Sequence, residues 1–289
     1  MDEGMELSGR QIAESAFSDI ESFFYRSAKF RVRREYGQSN MKSHAMCSGS
    51  GERMRIRLSQ DFCEFQAASI SDYMFILIVL CHELAHYLNN HNSHADKEKL
   101  DSIAVEARAD HFGAQIFMTL LTFGNKTQKS IQGYQSDMTQ KALIGAIAVA
   151  INDAYEKLFK PSDSSMYPDP EHRAKLLIVG CLSFFNRYFR PLPEGFAISF
   201  LVTVIRVARF VQNTDGEKQL AAGEIIQNRI HEVHREIESK ARFRLDGVKF
   251  VYGYFLSANF DQTIEERKAY KGKLDQMIGS WGILNGDQT

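Results

Sequence analysis

The chain has 289 residues, an ordinary 44% of apolar residues and a formal net charge of −1 at pH 7. That length suffices to bury a full core, and the near-zero charge gives no bulk attraction to nucleic acid or an anionic membrane. The four cysteines (Cys47, Cys63, Cys81 and Cys181) form no C-x-x-C pair, which favours a reduced intracellular setting over a disulfide framework.

The acidic start, Met1-Asp2-Glu3-Gly4-Met5-Glu6, lacks the basic-then-apolar pattern of a signal peptide. No apolar run reaches the ~18 residues expected of a membrane span. The expectation is a soluble, cytoplasmic protein. Ser8 with Gln11 forms a capping-box pattern, and Ile12, Ala16, Ile20, Phe23 and Phe24 follow at helical spacing. Lys29-Phe30-Arg31-Val32-Arg33-Arg34 is basic and alternating, and reads as a solvated face. Gly37 to Gly51 is loop-like. Met54-Arg55-Ile56-Arg57-Leu58 alternates as an exposed strand would, of the kind that can pair with an extended substrate backbone.

A helix is expected from Ser71 or Asp72 to about Asn89 or Asn90, apolar on all faces from Tyr73 to Leu80 and therefore buried. Further helices are expected over 97–121, 138–159, the stretch before Pro191, 195–211 and 217–243, the last with Ile226, Ile230, Val233 and Ile237 on one face. All five prolines lie between Pro161 and Pro193. Lys249 to Tyr252 suits a short strand, and Thr263 with Glu266 caps a final helix.

The chemistry concentrates in Cys81-His82-Glu83-Leu84-Ala85-His86, an H-E-x-x-H at the end of the buried helix. Histidines four apart share one helix face, so both imidazoles can hold one metal ion, with Glu83 beside the open position as a base for water. A hydrolytic zinc site wants a third protein ligand. Asn89 and Asn92 stand where a metzincin would carry glycine and histidine, so that pattern fails. His91 and His94 fit no zinc-peptidase spacing and read as exposed residues at a helix end. Glu106 on the next helix is the better third ligand, and Asp110, one turn on, can accept the second N–H of His82. The blander reading makes both of them surface acids of an amphipathic helix.

H-E-L-A-H followed by E-A-R-A-D resembles the gluzincin peptidases, whose pattern is H-E-x-x-H then E-x-x-x-D. The prenyl-protein (CAAX) and HtpX-like peptidases and the phage-exclusion, Lit-like peptidases come closest. Tyr167-Pro168-Asp169-Pro170-Glu171-His172-Arg173 resembles the H-P-x-x-x-x-R segment of those families, with Tyr167 where they carry histidine. The resemblance spans 54–177. It implies a zincin-like core in 1–190 with a small edge-strand region, within an α+β, predominantly helical fold; the part 191–289 has no counterpart in those families and reads from its apolar spacing as a C-terminal helical extension packed on the core.

The expected activity is zinc-dependent endopeptidase cleavage of an intracellular protein, with Zn2+ on His82, His86 and Glu106 and Asp110 behind His82. Glu83 would act as general base, and Tyr167, His172 and Arg173 are candidate donors to the oxyanion. The partner is a protein substrate, with neither nucleic acid nor membrane involved, and a phage-defence role follows from family analogy alone. Two other classes stand beside it: a non-catalytic zinc-stabilised interaction module, and a helical interaction protein in which the motif is accidental. Among lesser features, Cys81 reads as core, and Cys47 near His44 reads as an ordinary loop cysteine rather than a latch on the metal. His231-Glu232-Val233-His234 reads as a solvated face.

Overall fold

The computed structural model describes residues 6–94, 99–160, 167–190, 192–207, 229–239 and 245–256. Helix predominates, with two small sheets at one side. α1 (Gly9–Ser22) begins at the expected box: Ser8 Oγ accepts from the Gln11 amide while the Gln11 side chain accepts from the Ser8 amide. β1 (Leu7–Ser8) pairs antiparallel with β5 (Gln66–Ala67). The second sheet has the order β2-β4-β3, with β2 (Arg34–Gln38) parallel to β4 (Arg55–Ser59) and β3 (Ala45–Ser48) antiparallel to it.

Two sequence expectations change here. β4, expected as an exposed strand that could meet a substrate, is the central strand, with Ile56 and Leu58 fully buried. The edges are β2 and β3, and β3 lies inside the stretch expected to be loop; its four residues are too few to show a period. Arg31 and Arg34, part of the basic segment, both pair with Glu21 of α1.

α2 (Gln60–Glu64) is one short turn before α3 (Ile70–Leu88). α3 starts two residues earlier than the sequence suggests, because Ser69 and Asp72 form a reciprocal capping box. Every residue of α3 from Tyr73 to Cys81 is buried, since α1, α4 and α6 all pack on it. α4 spans Lys99–Phe123, and α5 (Asn125–Tyr134), absent from the sequence reading, follows directly. Its N-terminal amides at Lys126 and Thr127 are capped by buried Asp19 of α1, at 3.1 and 2.8 Å. α6 (Gln140–Ala154) ends in one π-helical turn to Phe159.

α7 (Pro170–Phe189) begins with proline behind an Asp169 cap, and α8 is Glu194–Val207. α9 covers 229–239 and lays Ile230, Val233 and Ile237 on Ala104 and Ala107 of α4. α10 (Phe250–Leu256) replaces the short strand expected at Lys249–Tyr252. Its aromatic residues favour a helix here because they interleave with the core: Tyr252 stacks on Phe23 at 4.1 Å, and Phe255 meets Phe184 at 4.9 Å. Arg187 of α7 then donates to the carbonyls of Tyr254 and Phe255, both at 2.9 Å. The helix expected at Thr263 lies outside the described residues. Among the described residues no helix is long and apolar enough to cross a membrane.

Two glycines set the helix spacing that matters for the site. On α4, a Cβ at Gly113 would lie 3.1 Å from the Cys81 carbonyl and the His82 backbone. On α7, a Cβ at Gly180 would fall 2.3 Å from the His111 carbonyl oxygen and 2.6 Å from Ala114 Cβ. Gly180→Ala is therefore expected to destabilise the fold by ~1–3 kcal/mol through overpacking. Gly145→Ala, in α6 with nothing within 4 Å of the added carbon, should instead stabilise it by ~0.5–1 kcal/mol. Urea unfolding of the two variants checks the opposite signs.

Candidate metal centre

The last turns of α3 present His82, Glu83 and His86 to the crossing with α4. The two Nε2 atoms lie 3.1 Å apart, as two rings on one helix face must when both turn to a common point. The close approach at Gly113 brings in Glu106 and Asp110. Glu106 Oε2 lies 3.2 Å from His82 Nε2, and Oε1 lies 3.6 Å from His86 Nε2. The ligand atoms of His82, His86 and Glu106 all fall within 4.8 Å of one another, and one ion can bond to all three.

Asp110 faces the other side of His82. Its Oδ1 accepts from His82 Nδ1 at 2.9 Å. Arg173 of α7 donates from Nε to Oδ2 at 2.8 Å and from Nη2 to Oδ1 at 3.0 Å. Both members of this ion pair are buried, and the guanidinium is sandwiched by the rings of Phe159 and Tyr167, at 4.1 and 4.6 Å. Arg173, a candidate oxyanion donor by sequence, is thus fully engaged as the support of Asp110.

With its Nδ1 proton donated to Asp110, a neutral His82 turns a lone pair toward Glu106 Oε2. That oxygen is buried, and with His82 neutral no donor among the described residues reaches it. Acceptor facing acceptor is unfavourable in a dry site, so the centre needs one positive charge, either a proton or a cation. The donor set suits a zinc-like ion: two imidazoles and a carboxylate, with a hydrogen-bonded support behind one ring.

Titration agrees with that need. Burial opposes a charge on His82, but the hydrogen bonds and charges of Asp110 and Glu106 outweigh it and raise its pKa to about 10. Burial would raise Glu106, yet His86 and His82 hold it well below the usual carboxylate range. Asp110 is likewise lowered against its burial, chiefly by Arg173 and then His82.

Glu83 points to the sheet side, where its Oε2 accepts from the Cys47 amide of β3 at 2.5 Å. The Cys47 carbonyl accepts from Asn92 Nδ2 at 3.0 Å. Both outward-facing backbone groups of Cys47 therefore point to the motif helix and the turn that follows it. Tyr167 is half-buried, and its phenol is raised above the ordinary value, first by the charge of Glu106 and then by burial, with Glu83 adding to the effect. His172, in the first turn of α7, makes no hydrogen bond to the cluster among the described residues. Burial and then Lys175 lower its pKa.

Sequence reasoning missed two residues here. His91 and His234, read as exposed, are buried at 3% and 0% exposure. Asn90 takes a left-handed conformation (φ 55°) that folds the chain back under α3. His91 Nδ1 then lies 2.9 Å from His86 Nδ1, and His91 Nε2 lies 2.9 Å from His234 Nε2. His234 Nδ1 lies 2.8 Å from the Ile230 carbonyl. Burial first, then the other imidazoles around His91 and Arg108 beside His234, pushes His91 well below its ordinary pKa and His234 down to about 3, so both rings are neutral at physiological pH. The available signal was position: Ile230, Val233, His234 and Ile237 follow i, i+3, i+4, i+7 spacing, which puts His234 on the buried stripe. His94, also read as exposed, has a buried side chain 3.3 Å from Asp101.

Comparison with protein-family models, with curated proteins and with solved structures returns no match to this chain.

Two outcomes follow from the geometry. Binding a cation at Nε2 requires His82 to lose the proton it holds up to about pH 10. Zinc affinity should therefore rise about tenfold per pH unit up to that pKa and level off above it. Titrations against chelator-buffered zinc across neutral pH give the slope, and a flat profile would mean that His82 is already neutral. Arg173→Leu leaves Asp110 buried without its guanidinium and should cost ~3–5 kcal/mol in chemical denaturation.

Proposed function

We propose that the chain is a zinc-dependent peptidase with a zincin-like catalytic core. It hydrolyses peptide bonds of a protein substrate by activating water. The observation that carries this reading is the convergence of His82, His86 and Glu106 within 4.8 Å, with Glu83 next in sequence to one ligand and turned toward a sheet edge. The H-E-x-x-H then E-x-x-x-D spacing is shared with gluzincin peptidases, which supports the same assignment.

In this reading His82, His86 and Glu106 hold the zinc. When bound, zinc supplies Lewis acidity that makes water acidic and a carbonyl electrophilic. Glu83 takes the proton of the attacking water and passes it to the departing amine. Asp110 keeps the His82 proton on Nδ1, and Arg173 keeps Asp110 charged and oriented. Tyr167 is the donor for the oxyanion: its phenol is protonated at neutral pH and lies close enough to Glu106 and Glu83 to feel their charges. The β3 edge runs beside Glu83, and an extended substrate lying along it would take the place of the bonds that Glu83 and Asn92 make to Cys47.

Glu83→Gln isolates the base from the strut. The amide oxygen of glutamine can still accept from Cys47 N–H, so the packing of β3 on α3 survives while the basicity is lost. Zinc content by elemental analysis should match the wild type. Cleavage of a peptide library, followed by mass spectrometry, should fall by ~10²–10⁴-fold. Equal cleavage by the two proteins would rule out Glu83 as the base. Zinc at full occupancy with no cleavage by the wild type would favour a zinc-stabilised interaction module.

A further inference from the structure

We infer that His234 of the C-terminal helix α9 is a positioning residue for the metal ligand His86, acting through His91 by a directed relay of three imidazole rings. This inference rests on the reading of His82, His86 and Glu106 as a metal centre and assigns that centre a fourth helix.

The direction of the relay follows from a single acceptor. A backbone carbonyl can only accept, so the 2.8 Å contact of His234 Nδ1 with the Ile230 carbonyl requires the proton on Nδ1. A neutral ring then has a bare Nε2. His91 Nε2, 2.9 Å away, must donate to it, which leaves His91 Nδ1 bare. His86 Nδ1, also 2.9 Å away, must in turn donate to His91. The Nε2 of His86 is left with its lone pair, and this is the atom that faces His82 and Glu106. One carbonyl on α9 thus prepares a metal-binding lone pair two rings away. Asp110 does the same for His82 in a single step, by accepting its Nδ1 proton.

The rings are held to these contacts. Successive planes meet at 83° (His86 and His91) and 78° (His91 and His234), and the rings are buried. α9 is docked by Ile230, Val233 and Ile237 against Ala104 and Ala107, and Arg229 is anchored on Asp101. Satisfaction of buried polar atoms would account for any pairing of these nitrogens. It does not by itself account for a chain whose fixed end leaves the proton off the one nitrogen that must bind metal.

The test uses the full-length chain with ¹⁵N-labelled histidine. In the zinc-free wild type, the ring spectra should place protons on Nδ1 of His86, Nε2 of His91 and Nδ1 of His234; any other pattern overturns the relay without reference to metal. His234→Phe fills the volume but cannot accept, and should lower zinc affinity by ~10–100-fold in chelator competition, with a second His86 tautomer appearing in the spectrum. His234→Gln restores an acceptor for His91 and should recover most of that loss. Ile12→Val, in the buried face of α1 and outside the relay, should lower the melting temperature while leaving zinc affinity and the His86 tautomer unchanged. Wild-type affinity and an unchanged His86 tautomer in His234→Phe would refute the role of His234. A wild type that shows the expected tautomers but takes up no zinc would refute the metal reading and leave the relay standing.

Discussion

Three groups that become hydrogen-bond acceptors once His82 is neutral, His82 Nε2, His86 Nε2 and the Glu106 carboxylate, face one another at the crossing of α3 and α4. Acceptors packed together away from water repel, and each would cost a few kcal/mol if left without a donor or a cation. Much of the surrounding structure is arranged around that fact. Gly113 lets the helices close to the distance at which Glu106 reaches both rings, and Gly180 lets α7 close in turn so that Arg173 reaches Asp110. Asp110, buried and charged, is tolerable only because the guanidinium and the His82 N–H satisfy it. The apolar body of α3 buries one side of the centre and leaves Glu106 Oε2 out of contact with solvent, and a positive charge there satisfies it.

The sheet bears on the same centre from the opposite side. β3 is short and has only one partner strand, and at Cys47 its outward amide and carbonyl face Glu83 and Asn92. A carboxylate that only stabilised a closed metal site would have no reason to reach the sheet edge. Glu83 does reach it and, like His82, stays partly exposed while Cys81 and Leu84 on either side are buried. The same hydrogen bond ties the motif helix to the edge strand, so the spacing of the two elements and the position of the carboxylate are set together.

The helical elements were largely legible in the sequence because apolar spacing and caps are local signals: Ser8 with Gln11, the unbroken Tyr73–Cys81 run, Pro170 behind Asp169. The grouping of His82, His86 and Glu106 was legible for the same reason, as H-E-x-x-H and E-x-x-x-D are both single-face helical spacings. What escaped depends on partners far away in the chain. The cap of α5 is Asp19, 107 and 108 positions before the amides it accepts from, so no window around Asn125 contains it. The strand β3 is defined by its pairing with β4 and by Glu83, not by any pattern of its own. His91 and His234 lay in plain view, but each was judged by its polar neighbours. His234 sits on a stripe whose burial is decided by Ala104 and Ala107, more than a hundred residues earlier.

The contact between His91 and His234 spans 143 positions of sequence, which ties the order of assembly to the chemistry. A growing chain carries His82, His86 and Glu106 well before it carries α9, and contacts of such long range are among the last to form. Until α9 docks, the His86 ring is free to hold its proton on either nitrogen, and the centre has its three ligands without the orientation of one. Within the proposed relay, readiness for metal becomes a property of the finished fold rather than of the motif. A chain interrupted before α9 would keep the signature in its sequence and lack the poised nitrogen.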